Sequence, residues 1–316
     1  MRCLFTIAFA AALLASSAAA DYAVDVEIEN LSGQGKLNWP VVVNVWQVLG
    51  RNIPAGSLNP DGYRVTAGGK DLAWRIEKIP PYDVLSNDEL IFVIPSLKAG
   101  AKTTVRVVNA ADAKGKPSEI DLVNSPHNLI ANGGFEAGDG KTVKAFSGQC
   151  RLDGETRRSG KAALLIEGDS RRRAEYEKTI ELSPGSLYYA GVWCKTDRVA
   201  RHGLAAGNGA YFEFNAEGRK GSGFQQVAGY EGVRIAKQCG TRDWNKSRWW
   251  SRYAMDYDDW GVHRNTGQAN AKATRLRLVM DQRKQYVLRG NNTGRWWLDD
   301  FVLMEQPKVT PRFDKT

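Results

Sequence analysis

The sequence predicts an all-β protein of two domains, and three observations carry that prediction. Short apolar runs with a period of two residues recur along most of the 316-residue chain, as expected for half-buried strands. Clusters of Gly, Pro and Asn separate the runs, as turns would. Beyond Asn128, no stretch keeps a 3.6-residue apolar period long enough for a substantial helix. At roughly 100–200 residues per domain, the length suits two domains or one large one.

Residues 1–20 have the features of a secretory signal. Arg2 is followed by an apolar stretch around Leu4 to Leu14 and by the small residues Ala18 to Ala20, an arrangement typical of a leader cleaved before Asp21. No apolar run reaches the roughly 18 residues that a membrane span needs. We therefore expect a secreted or periplasmic protein without a membrane span.

The first domain is predicted at residues 21–110. Its first run places Val24, Val26 and Ile28 between acidic residues, which indicates a strand with one buried face. Five further runs follow at Val41 to Val48, Tyr63 to Thr66, Leu72 to Ile76, Leu90 to Ile94 and Thr103 to Val108. Six strands at this spacing predict an immunoglobulin-like β-sandwich. Residues 111–126 lose the periodicity and become polar, so we interpret them as a linker.

The second domain is predicted at residues 127–305, with residues 306–316 as a C-terminal tail. It contains seven further strand-like runs, at Ala162 to Ile166, Arg173 to Leu182, Leu187 to Lys195, Ala210 to Asn215, Arg248 to Tyr257, Thr274 to Met280 and Arg295 to Met304. Because these runs again lack a helical period, the domain is expected to be all-β. We interpret it as a β jelly roll.

Net charge differs between the two halves. Residues 21–125 contain 11 Lys and Arg against 13 Asp and Glu, whereas residues 126–316 contain 32 against 22. A basic excess is often only a solvated surface, but a basic, aromatic-rich domain outside the cell also suits acidic polymers. The export signal argues against a nucleic acid as the partner.

Three cysteines remain after removal of the leader, which contains Cys3. They are Cys150, Cys194 and Cys239, and no pair has the Cys-x-x-Cys spacing of zinc or redox sites. An oxidising compartment allows one disulfide and one free thiol, and the sequence leaves the pairing open.

Most of the second domain, residues 128–305, resembles the family 4/9-type carbohydrate-binding modules, which are galactose-binding-like jelly rolls. The matching stretches follow the family order: Asn128 to Glu136, Ser159 to Leu164, Pro184 to Lys195, Gly240 to Trp244, Arg275 to Leu278 and Gly294 to Phe301. One departure is the segment from Tyr253 to Asn270, which is longer than the usual connection. The first domain is loosely similar to β-sandwich domains that precede sugar-active domains, at Ile53 to Gly56 and Asn87 to Leu90.

The resemblance implies a structural calcium ion between the first and last strands of the module. Carried over residue by residue, the ligands are the Glu136 and Asp299 side chains and the Lys161 carbonyl, with Asp300 as a substitute for Asp299. Oxygen donors of this kind suit Ca²⁺. The alternative is that these carboxylates are simply solvated at strand ends.

Candidate sugar-binding residues follow from alternation along the strands. Sugars stack on aromatic rings while planar polar side chains bind their hydroxyls. Alternation assigns Phe212, Phe214, Leu276, Leu278 and Met280 to the core, and Trp244 and Trp297 also to packing. The residues that remain for a ligand are Arg248, Trp250, Arg252, Tyr211, Glu213, Asn215, Arg275 and Arg277.

These observations favour a secreted, non-catalytic protein that binds a polysaccharide, with an acidic one favoured by the arginines, and that acts beside a separate carbohydrate-active enzyme. One alternative is an enzyme, either a glycoside hydrolase or a polysaccharide lyase. A hydrolase would use Glu213 with Asp256 or Asp258, and a lyase would use Tyr253 or His263 beside Arg252. Another alternative is a surface or assembly protein without a sugar ligand.

Overall fold

The computed structural model of the chain is almost entirely β-structure. It describes residues 22–49, 57–79, 88–113, 115–168, 172–181, 183, 186–199, 209–217, 224–228, 240–250, 275–283 and 294–312. The predicted signal at residues 1–20 lies outside these ranges. Among the helices that can be assessed there, none combines the length and the hydropathy that crossing a membrane requires.

The first β-sandwich consists of two antiparallel sheets. Its elements are β1 (Tyr22–Glu29), β2 (Lys36–Asn44), α1 (Val45–Leu49), β3 (Tyr63–Ala67), β4 (Lys70–Asp71), β5 (Trp74–Glu77), β6 (Glu89–Leu97) and β7 (Lys102–Asn109). Strands β1, β7, β3 and β4 are neighbours in one sheet, and β2, β6 and β5 form the other. Val24, Val26 and Ile28 are buried on one face of β1, which confirms the predicted alternation.

The apolar run from Val41 to Val48 is not the single strand that the sequence predicted. Strand β2 ends at Asn44, and α1 follows directly. Val45 and Val48 are both about 1% exposed, and a spacing of three residues places them on the same side of a helix. A mostly apolar run, here interrupted by Asn44 and Gln47, does not distinguish a strand from a strand followed by one helical turn, because both can bury its apolar residues.

The second β-sandwich, including β8 to β18, contains the longest strands of the chain. Its strands are β8 (Phe146–Gly148), β9 (Arg151–Asp153), β10 (Ala163–Gly168), β11 (Arg172–Tyr176), β12 (Ile180–Glu181), β13 (Leu187–Val199), β14 (Gly209–Glu217), β15 (Phe224–Ala228), β16 (Gly240–Trp250), β17 (Arg275–Arg283) and β18 (Gly294–Gln306). One sheet, which we call the β13 sheet, has the order β16-β13-β18-β10-β9. The other, the β17 sheet, has the order β15-β14-β17-β11-β8, with β12 also paired to β17.

The long strands of this sandwich alternate between the two sheets along the chain. Strands β13, β16 and β18 belong to the β13 sheet, and the strands β14 and β17 that lie between them in sequence belong to the β17 sheet. All their pairings are antiparallel. This arrangement is that of a jelly roll, and the predicted all-β fold class is confirmed.

The C-terminal segment returns to the first sandwich. Strand β19 (Lys308–Arg312) pairs with β1, with Val309 opposite Ile28. It lies at the edge of the larger sheet of the first sandwich, and Val309 packs against that core. Part of the segment predicted as a C-terminal tail is therefore a strand. Because β19 follows β18 along the chain, this is the second place where the chain passes between the sandwiches, and the pairing with β1 joins them there by backbone hydrogen bonds.

A small apolar core joins the two sandwiches. Val42 and Ile91 of the first sandwich pack with Tyr189, Val302 and Met304 of the second, and Leu122 of the predicted linker completes the cluster. Polar contacts border it: the Trp39 indole donates to the carbonyl of Glu305 over 2.9 Å. Part of the outer face of the β13 sheet is thus covered by the first sandwich.

Candidate functional site

The register of the β17 sheet decides which residues of β17 lie on its outer face. Ala174 and Ile180, on the neighbouring strands, are 0% and 4% exposed in the core. They pair with Met280 and Leu276. Directly opposed residues of antiparallel strands lie on the same face, and the faces alternate along a strand. Arg275 and Arg277 therefore occupy outer-face positions.

Strand β14 contributes the other outer-face positions. Asn215 pairs with Arg277, Glu213 with Val279, and Tyr211 with Asp281. By the same rule, Tyr211, Glu213 and Asn215 share the face of Arg277. Five of the predicted sugar-binding residues thus occupy one face of one sheet, and we call Tyr211, Glu213, Asn215, Arg275 and Arg277 the outer-face set. The structure fixes their strand positions; their side-chain contacts lie outside the described part.

The remaining predicted sugar-binding residues belong to a different place. Arg248 and Trp250 lie on β16, at the edge of the β13 sheet, opposite Gly191 and Tyr189. The Arg248 side chain is 12% exposed and lies 3.7 Å from the Glu89 carboxylate of the first sandwich. Arg248 is therefore an interface residue, apart from the outer-face set. The side chain of Trp250 and the whole of Arg252 lie outside the described part.

Arg248 lies at the interface and not on the predicted ligand face because the first sandwich docks against this part of the β13 sheet. Alternation along β13 buries Tyr188, Ala190 and Val192 in the core of the jelly roll. The intervening Tyr189 instead packs with residues of the first sandwich. Sequence alternation separates the two faces of a strand, but it does not show that a second domain covers one of them.

A buried charge cluster, which sequence reasoning missed, lies under this interface. The Lys246 ammonium donates to Glu77 and to Glu89 over 2.6 Å each. The Tyr189 hydroxyl donates to Glu89 over 2.8 Å, and the Trp193 indole donates to Glu77 over 3.1 Å. Both carboxylates belong to the first sandwich, whereas all these donors belong to the second. The sequence feature that could have indicated the cluster is Glu89, a carboxylate residue that directly precedes the apolar residues of β6.

Electrostatics favour the ionised form of Glu77. Burial raises the pKa of its carboxyl, but the charges of Lys246, Arg75 and Arg158 outweigh burial and lower the pKa to about 2. Burial and the charge of Glu89 raise the pKa of Tyr189 well above its usual value. At neutral pH Glu77 is therefore ionised beside Lys246, Arg75 and Arg158, and Tyr189 is protonated.

The four residues predicted to hold calcium meet at one turn, residues 158–161. Lys161 belongs to the turn, and Glu136, Asp299 and Asp300 contact it. On one side, the Lys161 N–H donates to both Glu136 carboxylate oxygens, over 3.0 and 2.8 Å. Gly160 has a positive φ of 56°, and a Cβ there would lie 1.7 Å from a Glu136 oxygen. The carboxylate thus occupies space that only a glycine leaves open.

On the other side of the turn, Asp299 accepts backbone N–H groups. One oxygen accepts from Arg158 over 2.9 Å and from Ser159 over 3.1 Å, and the other accepts from Asp300 over 2.8 Å. Asp299 is fully buried. Burial and the neighbouring Asp300 raise the pKa of its carboxyl to about 7, against these donors, which lower it.

The chemistry of these donors fits a hard cation. Ca²⁺ binds six to eight oxygens in flexible geometry, and carboxylates stand on both sides of this turn, whose Gly160 carbonyl accepts from the Arg157 guanidinium over 3.1 Å. Within the described ranges, no three His, Cys, Asp or Glu side chains gather into a metal cluster. A cation at this turn would therefore rely on backbone carbonyls as well as carboxylates, as the Lys161 carbonyl in the predicted set implies.

Arg158 connects this turn to the interface. Its guanidinium donates to Asp300 over 2.6 Å and to Glu77 over 3.3 Å. It also lies over the Trp193 ring, 3.8 Å from the ring centroid. A cavity of about 240 Å³ opens at this junction, lined by residues that include Arg75, Glu77, Arg158, Trp193, Lys246 and Asp300.

Other predictions can be placed more briefly. Trp297 is buried and packs with Ala163 and Leu165, with Trp244 against them, so the assignment of both tryptophans to packing is confirmed. Cys150 is a partly buried free thiol, Cys194 is buried in the core of the second sandwich, and Cys239 lies outside the described residues. The long segment from Tyr253 to Asn270, with the enzyme candidates Tyr253, Asp256, Asp258 and His263, also lies outside them.

No protein-family model matches the chain. No curated protein matches it either. Solved structures similar to it include a family 16 carbohydrate-binding module, 15% identical, with 56% of this chain and 100% of that chain covered and a TM-score of 0.38. A second is TmCBM61 in complex with β-1,4-galactotriose, 16% identical, covering 57% and 99%, with a TM-score of 0.32. A third is the CBM22-1 xylan-binding domain of Xyn10C from Paenibacillus barcinonensis, 13% identical, covering 54% and 90%, with a TM-score of 0.32.

Proposed function

We propose that the chain is a carbohydrate-binding protein whose ligand face is the outer-face set of the β17 sheet. The observation that carries the proposal is the pairing of β14 with β17, which brings Tyr211, Glu213 and Asn215 onto the same face as Arg275 and Arg277. An aromatic residue beside planar polar residues is the combination that binds pyranose rings and their hydroxyls. Separate stretches of sequence supply the two halves of this face.

The proposed ligand class is an acidic polysaccharide. Arg275 and Arg277 are alternate residues of one strand, and Asn215 pairs directly with Arg277. A guanidinium binds a carboxylate through two parallel hydrogen bonds, which a neutral sugar cannot accept in that way. The basic excess of residues 126–316 would also attract a polyanion.

The test is a glycan array with the full chain, followed by calorimetric titration with oligogalacturonate and with a neutral glucan oligosaccharide. We expect Tyr211→Ala to abolish binding to both ligands and Arg277→Ala to weaken mainly the acidic one. Arg106→Ala is the matched control, because Arg106 lies on the first sandwich in an exposed pair with Asp25. Equal loss with Arg106→Ala and Arg277→Ala, or no glycan binding at all, would contradict the proposal.

We also propose a structural calcium ion at the 158–161 turn, held by Glu136, Asp299 and the Lys161 carbonyl, with Asp300 beside them. The ion would supply positive charge between carboxylates that face the turn from opposite sides. Support comes from the Glu136 and Asp299 contacts to the turn and from the missing side chain at Gly160. Calorimetric titration of the chelator-treated protein with Ca²⁺ tests it, with Glu136→Gln expected to weaken binding.

The proposed protein is exported and non-catalytic, and it acts beside a separate carbohydrate-active enzyme. Mass spectrometry of the exported protein should find Asp21 at its N-terminus. Incubation with any polysaccharide that it binds should release no new reducing ends and no unsaturated product. Release of either would favour the enzyme alternative instead.

A further inference from the structure

Arg158 takes part in two neighbouring sites, the 158–161 turn and the charge cluster at the interface. Its backbone N–H donates to Asp299, and its guanidinium donates to Asp300, within the proposed calcium site. The same guanidinium reaches Glu77 of the first sandwich and covers the Trp193 ring. A single residue of the 158–161 turn therefore contacts the carboxylates of β18, the Glu77 carboxylate of the first sandwich and the Trp193 ring.

The partners of Arg158 are themselves held in place. Glu77 is fixed by Lys246, and Trp193 is fixed by its own hydrogen bond to Glu77. On the other side, Ser159 donates its hydroxyl to Asp300 over 2.7 Å, which ties the turn to the middle of β18. A change in the turn thus reaches Glu77 through side chains with little freedom to adjust.

Movement of the turn would also change the electrostatics of the interface. The Arg158 charge is among the causes that lower the pKa of Glu77, and its side chain is 31% exposed, whereas that of Glu77 is 9% exposed. A buried carboxylate that loses a cationic partner becomes costly to keep buried. Loss of this contact would therefore weaken the docking of the first sandwich.

We propose that Arg158 couples cation binding at the 158–161 turn to the docking of the two sandwiches. The ion fixes the turn between Glu136 and Asp299, the turn holds the guanidinium on Glu77, and the interface tightens. The inference rests on the proposed calcium site for its ligand. The coupling path itself consists of contacts between described residues.

The test is amide hydrogen exchange on the full chain, with Ca²⁺ and with chelator. In the unmutated protein, Ca²⁺ should slow exchange in the 158–161 turn and, by about tenfold, in β5 and β6 of the first sandwich, the size typical of coupling between sites. In Arg158→Ala, Ca²⁺ should still slow exchange in the turn but no longer in β5 and β6. Arg158→Lys, which keeps the charge but loses the two-point contact, is the second variant in case alanine prevents folding.

The matched control is Arg151→Ala, which removes an exposed arginine paired with Glu167 and should leave both responses intact. If Ca²⁺ slows exchange in β5 and β6 equally in the Arg158 variants, Arg158 is not the coupling residue. If Ca²⁺ protects the turn alone in the unmutated protein, the calcium site stands and the coupling is refuted.

Absence of any Ca²⁺ effect would instead refute the calcium site, and a second perturbation then decides the coupling. Gly160→Ala displaces Glu136 from the turn without any ion. Faster exchange in β5 and β6 in this variant, with no further increase when Arg158→Ala is added, would support coupling through Arg158. Unchanged exchange in those strands would overturn it.

Discussion

Replacement of Lys246 by methionine tests the buried charge cluster most severely. The Lys246 side chain is 3% exposed and lies 2.6 Å from Glu77 and 2.6 Å from Glu89, whose side chains are 9% and 0% exposed. Methionine keeps most of the length and apolar contact of lysine but leaves two buried carboxylates without this partner. Removal of one partner from a buried ion pair costs about 3–5 kcal/mol.

The assay is urea unfolding of the full chain, with tryptophan fluorescence as the signal that reports unfolding. We expect Lys246→Met to lower the free energy of unfolding by about 3–5 kcal/mol. Lys102→Met is the control, because Lys102 is half exposed in its pairs with Glu27 and Glu29 and an exposed ion pair contributes little to stability. Addition of Glu77→Gln and Glu89→Gln to Lys246→Met should recover part of the loss, because the buried charge then disappears. If Lys246→Met unfolds at the same urea concentration as Lys102→Met, the cluster does not hold the two sandwiches together.

Three further predictions concern pH, backbone strain and metal removal. Because the pKa of Glu77 is lowered to about 2 from 4.5, its contribution to stability should be complete above about pH 4.5 and fall as pH drops towards 2. The free energy of unfolding, measured across this range, should therefore depend less on pH in Glu77→Gln than in the unmutated protein. Gly160→Ala should lower the free energy of unfolding by more than Gly68→Ala does. Gly68 has a φ of 54° and no atom within 4 Å of the position that a Cβ would take, so its replacement should cost only the roughly 1–2 kcal/mol of a left-handed backbone, whereas a Cβ at Gly160 would also meet Glu136. Equal melting temperatures for the two variants would contradict this. Chelation should lower the melting temperature, since a ligand at a hundredfold excess over Kd stabilises by about 3 kcal/mol, and Glu136→Gln should remove that sensitivity; an unchanged melting curve of the chelated, unmutated protein would refute the calcium proposal.

Local alternation predicted the β-structure well, because a period of two is a property of each strand by itself. It assigned Val24, Val26 and Ile28 to the buried face of β1, as observed. It also separated Arg275 and Arg277 from Leu276 on β17 in agreement with the register. Alternation failed at Val45 to Leu49, where adjacent apolar residues give no period of two and α1 follows β2.

The interface could not be predicted in this way, because its contacts join residues far apart in sequence. Lys246 meets Glu77 across 169 residues and Glu89 across 157. Nothing local distinguishes a strand face that is covered by another domain from one that meets solvent, so Arg248 was assigned to a ligand. The same holds for β19, whose pairing with β1 depends on how the two sandwiches dock.

Side-chain footprinting with hydroxyl radicals tests the central claim most directly, because it measures whether a bound ligand covers the outer-face set. The full chain is oxidised with and without saturating oligogalacturonate, and the labelling of each aromatic residue is read by mass spectrometry. Ligand should protect Tyr211 on β14, while Tyr22 on the first sandwich, whose hydroxyl bonds to Ser57, should label equally in both samples. A bound ligand that leaves the labelling of Tyr211 unchanged would contradict the account.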